Sequence, residues 1–283
     1  MNVVTQAHRS SMTDPPIVVS AAGVTDVGRV RPHNEDAYVV EHGLYAVADG
    51  MGGAAAGEVA SRMAIAALRE VSAQGDLTTT DLAATLATAN DQIRELADSH
   101  GSFDGMGTTA CGVVLVRVGG AWHWAVFNVG DSRVYRVHAG QLELLTHDHS
   151  EVRELLDAGV ITAEQAGSHP SRNVITRALG SEDTVRPDLW VRPPVPGERF
   201  VVCSDGLTNE VSDDEIMDIM RGRDDPVLAA ETLARAALDA GGRDNVTVVV
   251  VAVDGDATDG GVTAVSDDTA PRGRPDRAPG AHA

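Results

Sequence analysis

The sequence contains no lysine, since arginine supplies all 22 of its Lys and Arg residues. A P-loop requires a lysine after its glycines, a protein kinase requires a strand lysine, and a Schiff-base enzyme requires an amine. These three classes of enzyme are therefore excluded.

Cysteine is also scarce, with Cys111 and Cys203 the only two in 283 residues. Both lie in apolar, strand-like runs, which favours buried thiols in a reducing compartment over a disulfide or a nucleophile. No apolar run is long enough to span a bilayer, and the N-terminus lacks the charged start and hydrophobic stretch of a signal peptide. We therefore expect a cytoplasmic protein with no membrane partner.

Positive charge is in short supply, because 42 acidic residues against 22 arginines give a formal net charge of −20. The sequence has no basic run that would offset this charge locally, so it would repel nucleic acid. Hydrophobic residues make up 43% of the chain, which supports a sizeable core. We expect a globular protein without a nucleic-acid partner.

Composition divides the chain into three parts. Residues 1–16 are polar and end in two prolines, which predicts a flexible leader. Residues 255–283 lack aromatic, leucine and isoleucine side chains, which predicts a disordered tail. No Pro-rich or Ser-rich linker interrupts residues 17–254, so we predict a single domain there.

Helical and strand-like periodicities occur in blocks within this domain. Apolar residues spaced by three and four predict an amphipathic helix over 82–96. Four β-type runs over 109–145, separated by two-residue turn signals, predict an antiparallel meander. The last helix is predicted to begin at Pro226, and 246–253 is a continuous apolar strand. This order indicates an α+β layered sandwich.

Four short acidic motifs stand at or beside the ends of apolar runs. They are Arg31–Asp36, Asp49–Gly53, Ser204–Gly206 and Arg243–Asn245. Taken singly, each could be a turn or a strand cap. Carboxylates that converge in one pocket, however, raise each other's pKa unless a cation neutralises them. Oxygen ligands suit Mg²⁺ or Mn²⁺, whereas zinc and copper favour Cys and His, so the motifs predict one hard-cation site.

Taken together, the order and spacing of these motifs resemble the metal-dependent protein Ser/Thr phosphatases of the PPM type, also called type 2C, and above all their compact bacterial members. The resemblance covers about residues 20–253. The matching segments are 31–36, 47–53, 57–61, 106–109, 130–133, 169–170, 203–207 and 244–247. It implies a four-layer fold in which two stacked antiparallel sheets are flanked by helices on both sides.

The resemblance also implies a centre of two Mn²⁺ or Mg²⁺ ions. Asp49 would bridge both ions, and the Gly50 carbonyl would bind one of them. Asp205 and Asp244 would hold the other. Glycine at position 50 fits this role because a side chain would block the approach of a carbonyl to an ion.

Further residues would complete this site. Glu35 and Asp36 would support the second metal, partly through water. Asp131 matches a position that binds a third, weaker ion together with Asp205, although in its own turn it could simply stabilise a hairpin. Arg31 would anchor the substrate phosphate, because a guanidinium offers two parallel donors to phosphate oxygens.

The implied reaction is direct attack of a metal-bridging water on phosphorus, without a phosphoenzyme. Cys203 lacks the surrounding Cys-x5-Arg loop of a thiol phosphatase. Eukaryotic members often have a histidine where this chain has Met51, so the general acid stays open between metal-bound water and His147, His149 or His169. The simpler interpretation of these three histidines is that they are exposed loop residues.

The implied function is dephosphorylation of phosphoserine and phosphothreonine in proteins, by a monomer that counteracts bacterial Ser/Thr kinases. Residues 147–177 correspond to the variable flap of bacterial members. Two alternatives are open. A phosphatase dedicated to an anti-sigma-factor antagonist would usually carry sensor domains and degenerate motifs. A phosphoprotein-binding module without activity would usually have lost its metal residues, which this chain keeps.

Overall fold

The structure is a computed structural model that describes residues 4–12, 17–41, 43–52 and 56–254. The strands in these ranges are β1 (Val4–Met12), β2 (Ile17–Asp26), β3 (Ala37–Glu41), β4 (Leu44–Ala48), β5 (Gly50–Met51), β6 (Gly107–Thr108), β7 (Ala110–Val118), β8 (Ala121–Val129), β9 (Arg133–His138), β10 (Gln141–Leu144), β11 (Asp188–Arg192), β12 (Arg199–Cys203) and β13 (Val246–Val253). The helices are α1 (Ala56–Ala73), α2 (Thr79–Ser99), α3 (Glu151–Asp157), α4 (Ala163–Ala166), α5 (Asp205–Thr208), α6 (Asp213–Arg221) and α7 (Pro226–Ala240).

Two antiparallel sheets form the centre of the molecule. The six-stranded sheet has the order β1-β2-β13-β12-β9-β10, and the five-stranded sheet has the order β11-β8-β7-β4-β3. The predicted sandwich of two antiparallel sheets with helices is confirmed. Among the described residues, no helix combines the length and the apolar character that crossing a membrane requires.

Three apolar clusters hold the layers together. Helices α1 and α2 pack on the five-stranded sheet, and α6 and α7 pack on the six-stranded sheet. Between the sheets, Trp124 stacks edge-on against Phe200 at a centroid distance of 5.4 Å. Strand β13 alternates between two of these clusters, since Val248 faces the helices and Val249 faces the other sheet. The predicted strand buried on both faces is therefore confirmed, as is the helix that begins at Pro226.

The predicted meander over 109–145 is wrong at its centre. Strands β7 and β8 form a hairpin in the five-stranded sheet, but β9 pairs with β10 and β12 in the six-stranded sheet. The free edge of β8 is taken by the distant strand β11 instead. The turn signal at Gly130–Asp131 therefore marks a crossing between sheets, and Asp131 does not stabilise a hairpin.

The predicted flexible leader over 1–16 is wrong for residues 4–12, which form β1 along the edge of β2 from Val4↔Thr25 to Met12↔Ile17. An edge strand needs backbone hydrogen bonds on one side only, so a polar sequence can supply it. Thr5, Ala7 and Arg9 are accordingly exposed. The predicted disordered tail, 255–283, lies outside the described residues.

Candidate metal centre

Five aspartates lie at or beside the ends of strands. Asp36 precedes β3, Asp49 follows β4, Asp131 lies between β8 and β9, Asp205 follows β12 at the start of α5, and Asp244 shortly precedes β13. Strands β3, β4 and β8 belong to the five-stranded sheet, whereas β9, β12 and β13 belong to the six-stranded sheet. Both sheets therefore contribute carboxylates to the same region.

The five carboxyl groups interact electrostatically. Burial raises the pKa of Asp49 well above its ordinary value, and the charges of Asp36, Asp205, Asp131 and Asp244 raise it further. Burial is also the main reason that the pKa of Asp36 rises to about 7 and that of Asp131 to about 8. Because like charges in a region of low dielectric disfavour ionisation, this cluster favours the binding of positive charge.

The oxygens of this region fit a hard divalent cation. Glu35 Oε1, Asp36 Oδ1 and Asp131 Oδ1 are buried and have no hydrogen-bond partner among the described residues. A buried polar atom without a partner is costly, and a bound ion is one of the groups that can satisfy it. Within the described ranges, no three Asp, Glu, His or Cys side chains already form a group that could hold an ion. The carboxylates thus interact electrostatically without forming a finished ligand set.

A chain of hydroxyl groups orients Asp36. Asn34 Nδ2 donates to Thr25 Oγ1 at 2.8 Å, and Thr25 Oγ1 lies 2.7 Å from Thr247 Oγ1. Thr247 Oγ1 then donates to Asp36 Oδ2 at 2.6 Å, and Ser204 Oγ donates to the same oxygen at 2.9 Å. Because Thr247 Oγ1 gives its only proton to Asp36, it accepts from Thr25 Oγ1, so both threonine hydroxyls donate towards the carboxylate. Oδ2 is therefore occupied, and Oδ1 is the free oxygen.

Thr109 fixes the backbone of Asp49. The Asp49 N–H donates to Thr109 Oγ1 at 2.9 Å, and the Thr109 N–H donates to the Asp49 carbonyl at 2.9 Å. Thr109 Oγ1 also shares a hydrogen bond with Ser132 Oγ, 2.8 Å away. One buried threonine thus connects Asp49 on the five-stranded sheet to the residue after Asp131.

Asn245 ties together the two loops that carry Glu35 and Asp244. Its Oδ1 accepts from the Glu35 N–H at 2.9 Å, and its Nδ2 donates to the carbonyls of Val27 and His33 at 2.9 Å each. All of the amide's strong hydrogen-bonding groups are therefore used for positioning.

Arg31 lies at the rim of this region, with 48% of its side chain exposed. Its Nη2 donates to Asp244 Oδ2 at 2.7 Å. The structure therefore brings the predicted phosphate anchor into direct contact with a predicted metal ligand.

Glycine was predicted at position 50 because a side chain would block the approach of its carbonyl to an ion, but the structure gives a second reason. A Cβ on Gly50 would lie 2.2 Å from the Gly57 carbonyl oxygen and 2.5 Å from the Glu35 carbonyl oxygen. Close backbone packing against the start of α1 thus requires glycine at position 50. Gly52 has a φ of +130°, which favours glycine, and Gly53 lies outside the described residues.

The three candidate histidines have separate environments. His147 Nε2 lies 2.6 Å from Asp157 Oδ2, and His169 Nδ1 accepts from the Ser171 N–H at 3.2 Å. His149 is only 6% exposed, so its interpretation as an exposed loop residue is wrong. Its ring nitrogen Nδ1 accepts a hydrogen bond from the Gly130 N–H. His149 is therefore a structural residue next to the loop that carries Asp131.

A cleft of about 230 Å³ opens next to Asp131 and Asp205. Arg172 and Arg153 also line it, together with residues of α3 and α4. Arg177, at the end of the same flap, donates to Asp188 Oδ1 at 2.9 Å. The cleft is therefore lined by both carboxylates and guanidinium groups.

The roles of Thr109, His149, Asn245 and Thr247 were not predicted from the sequence. Thr109, Asn245 and Thr247 lie inside segments that the resemblance had already selected. The available signal was that small polar residues stood directly beside apolar strands, where a buried hydroxyl or amide must be satisfied. Their partners could not be identified, because every partner lies on a distant segment.

Comparison with known proteins identifies the family. A sequence profile described as protein phosphatase 2C matches residues 31–240. The chain is 39% identical over 238 residues to the serine/threonine phosphatase stp of Listeria welshimeri, which covers 80% of this chain and 93% of the relative. It is 40% identical over 242 residues to the serine/threonine protein phosphatase PstP of Mycobacterium tuberculosis, which covers 84% of this chain but only 45% of that longer protein.

Solved structures agree with these sequences. The catalytic domain of PstP in complex with two manganese ions superposes with a TM-score of 0.76 at 36% identity, covering 84% of this chain and 99% of that domain. The resemblance predicted from the motifs is thereby confirmed. The chain belongs to the protein phosphatase 2C family of Ser/Thr protein phosphatases.

Proposed function

We propose that this protein hydrolyses phosphoserine and phosphothreonine in phosphorylated proteins, using Mn²⁺ or Mg²⁺. The observation that carries the proposal is the electrostatic coupling of Asp49 to four other aspartates supplied by both sheets. Two further features support it: unpartnered oxygens on Asp36 and Asp131, and a guanidinium at the rim.

Seven residues would hold the ions. They are Glu35, Asp36, Asp49, Gly50 (through its carbonyl), Asp131, Asp205 and Asp244. Two ions are the basic complement, as in the manganese complex of the PstP catalytic domain, and Asp131 with Asp205 would hold a third. When bound, the ions supply Lewis acidity and neutralise charge on the phosphoryl group.

The chain's own residues act on the substrate in two ways. Arg31 would orient the phosphate through two parallel N–H donors. Thr109 would hold the backbone of Asp49 in place for ion binding. Both cysteines are fully buried, and burial raises the pKa of Cys203 to about 12. A thiolate nucleophile is therefore disfavoured, which supports direct hydrolysis by water.

The physiological setting is also a proposal. The phosphorylated substrates would be proteins modified by Ser/Thr kinases in the same cell, and the enzyme would act in the cytoplasm as a monomer. The cleft beside Asp131, which Arg172 and Arg153 also line, would receive residues that flank the phosphorylated side chain. The flap over 147–177 would border this cleft.

The decisive experiment measures phosphate release from phosphothreonine and phosphoserine peptides. Mn²⁺ should support turnover, and EDTA or Asp49→Asn should lower it by at least about 100-fold, the usual scale for losing a principal catalytic group. Asp218→Asn is the matched control, because Asp218 is an exposed aspartate that pairs with Arg221 on α6. Turnover that persists in EDTA, or no turnover with Mn²⁺, would contradict the proposal.

A further inference from the structure

His149 lies where three parts of the chain meet. It follows β10, hydrogen-bonds to Gly130 at the crossing between the sheets, and contacts Arg177 and Asp188 farther along the chain. Although it belongs to a loop, its side chain is only 6% exposed. The ring is therefore a packed element of the structure.

Two hydrogen bonds join His149 to Gly130, where the chain crosses from one sheet to the other. The Gly130 N–H donates to His149 Nδ1 at 3.0 Å, and the His149 N–H donates to the Gly130 carbonyl at 2.9 Å. From the opposite side, Thr109 packs so closely that a Cβ on Gly130 would lie 2.5 Å from its Cγ2. Gly130 is thus held between Thr109 and the imidazole.

These contacts also determine the tautomer. A backbone N–H can only donate, so Nδ1 must be unprotonated, and the single proton of the neutral ring lies on Nε2. Burial and the neighbouring Arg177 guanidinium lower the pKa of His149, which favours the neutral ring. Nε2 then donates to Asp188 Oδ2 at 3.2 Å.

The other side of His149 connects to the segment 174–188. Asp188 accepts from Arg177 Nη1 at 2.9 Å as well as from the imidazole. Arg177 Nη1 also lies 2.8 Å from Nε2, but a protonated Nε2 cannot accept, so this guanidinium is satisfied by Asp188 and by the Arg186 carbonyl. The His149 carbonyl accepts from the Thr176 N–H at 2.8 Å.

The residue before His149 provides a second attachment to the same crossing. Asp148 accepts from Arg133 Nε and Nη2, with the shortest distance 2.6 Å. Between these two attachments, the Oδ1 of Asp131 is buried and has no hydrogen-bond partner among the described residues. The direction of this carboxylate is therefore set by the backbone of the crossing.

We propose that His149 is a positioning residue that fixes the Asp131 carboxylate for cation binding and couples it to the segment Val174–Arg177. The Nδ1 acceptor performs the first task, and the Nε2 donor performs the second through Asp188, which also accepts from Arg177. The inference rests on the proposed function only in assigning a metal role to Asp131.

Two substitutions separate these tasks, because the Oδ1 of asparagine can replace Nδ1, whereas the amide nitrogen of glutamine can replace Nε2. His149→Asn should keep the Gly130 N–H protected from hydrogen exchange in metal-free protein. The affinity for the weaker Mn²⁺ ion, which Asp131 would bind, should stay close to wild type in calorimetry. His149→Gln should accelerate Gly130 exchange and weaken that affinity, each by about tenfold, as expected for one lost hydrogen bond. His169→Gln is the matched control and should change neither.

Equal behaviour of the Asn and Gln variants would overturn the proposal. A measurement on the unmodified protein guards against variants that fail to fold: the ¹⁵N spectrum of His149 near neutral pH should show the Nε2–H tautomer, and an Nδ1–H tautomer would contradict the inference. Hydrogen exchange, Mn²⁺ binding and the tautomer do not require turnover. They therefore test His149 even if phosphate release fails.

Discussion

Arg31 and Asp244 form a direct ion pair, with Nη2 of the guanidinium 2.7 Å from Oδ2 of the carboxylate. In the proposed function, the first residue binds phosphate and the second binds an ion. The arginine therefore has a second effect, since it places positive charge beside one of the carboxylates of an acidic cluster.

Replacement of Arg31 should act mainly on substrate binding. Arg31→Ala should raise KM and lower kcat/KM by about 10- to 100-fold, because hydrogen bonds to charged groups contribute about 1.5–3 kcal/mol. Arg31→Lys should fall between, because a lysine keeps the charge but loses the two parallel donors. Steady-state kinetics on a phosphothreonine peptide will measure both variants, with Arg221→Ala as a surface control. A loss confined to kcat would contradict the assignment.

Thr109 should matter through its hydroxyl more than through its methyl group. Thr109→Val is nearly isosteric but leaves the Asp49 N–H and Ser132 Oγ without their partner, at a cost of about 1–3 kcal/mol in the free energy of unfolding. It should also increase the Mn²⁺ concentration needed for half-maximal activity. Thr109→Ser keeps the hydroxyl and should cost about 1 kcal/mol. Urea unfolding will compare them, and a more stable Val variant would refute this account.

Loss of the Asn245 amide should destabilise the protein without removing any charge. Asn245→Ala leaves the Glu35 N–H and the carbonyls of Val27 and His33 unpaired, which should lower the free energy of unfolding by roughly 3 kcal/mol. Denaturation in urea will measure the difference. Asn173→Ala is the control, because Asn173 is exposed on the loop after α4, and it should change stability by less than about 0.5 kcal/mol. Equal effects of the two variants would show that the Asn245 amide is not a structural tie.

The stability of metal-free protein should depend on the charge of Asp131. Its pKa rises from 3.8 to about 8 in the folded protein, so folding takes up protons in this interval. The contribution of the protonated Asp131 side chain to the free energy of unfolding is fully present below the pKa of the unfolded state. It is lost as pH rises through the pKa of the folded state. In EDTA at high pH, Asp131→Asn should therefore melt at a higher temperature than wild type, and the difference should shrink as pH falls towards 5, below the folded pKa.

Excess Mn²⁺ supplies the complementary measurement. Because a ligand that binds only the folded state stabilises it, Mn²⁺ should raise the melting temperature of wild type more than that of Asp131→Asn. Differential scanning calorimetry with EDTA and with Mn²⁺ will measure both effects. A melting-temperature difference in EDTA that is independent of pH would contradict the assignment of the shift to Asp131.

The parts of the fold that could be predicted from sequence are those that depend on neighbouring residues only. The apolar run over 246–253 and the proline at 226 specify a buried strand and a helix start by their own chemistry. The partner of β8 could not be predicted in this way. Gly130 has a φ of +106° and sits against Thr109, and the resulting change of sheet depends on packing between distant segments.

The candidate site shows the same division. The acidic residues were found because each stands beside an apolar strand in a motif with a known order. The residues that orient them were not found, because Thr247 acts on Asp36 across 211 positions of sequence and Asn245 acts on Glu35 across 210. The sequence around a small polar residue does not show which distant residue will be its hydrogen-bond partner in the folded protein.

Strand β1 has a practical consequence for work with shortened forms of the protein. It covers one edge of the six-stranded sheet and is joined by an Arg9–Asp254 ion pair of 3.1 Å to the residue that follows β13. A recombinant form trimmed to begin at Ile17 would present the β2 backbone as an open template for strand addition. Concentration-dependent association of such a form would therefore report the missing strand and not a natural oligomer.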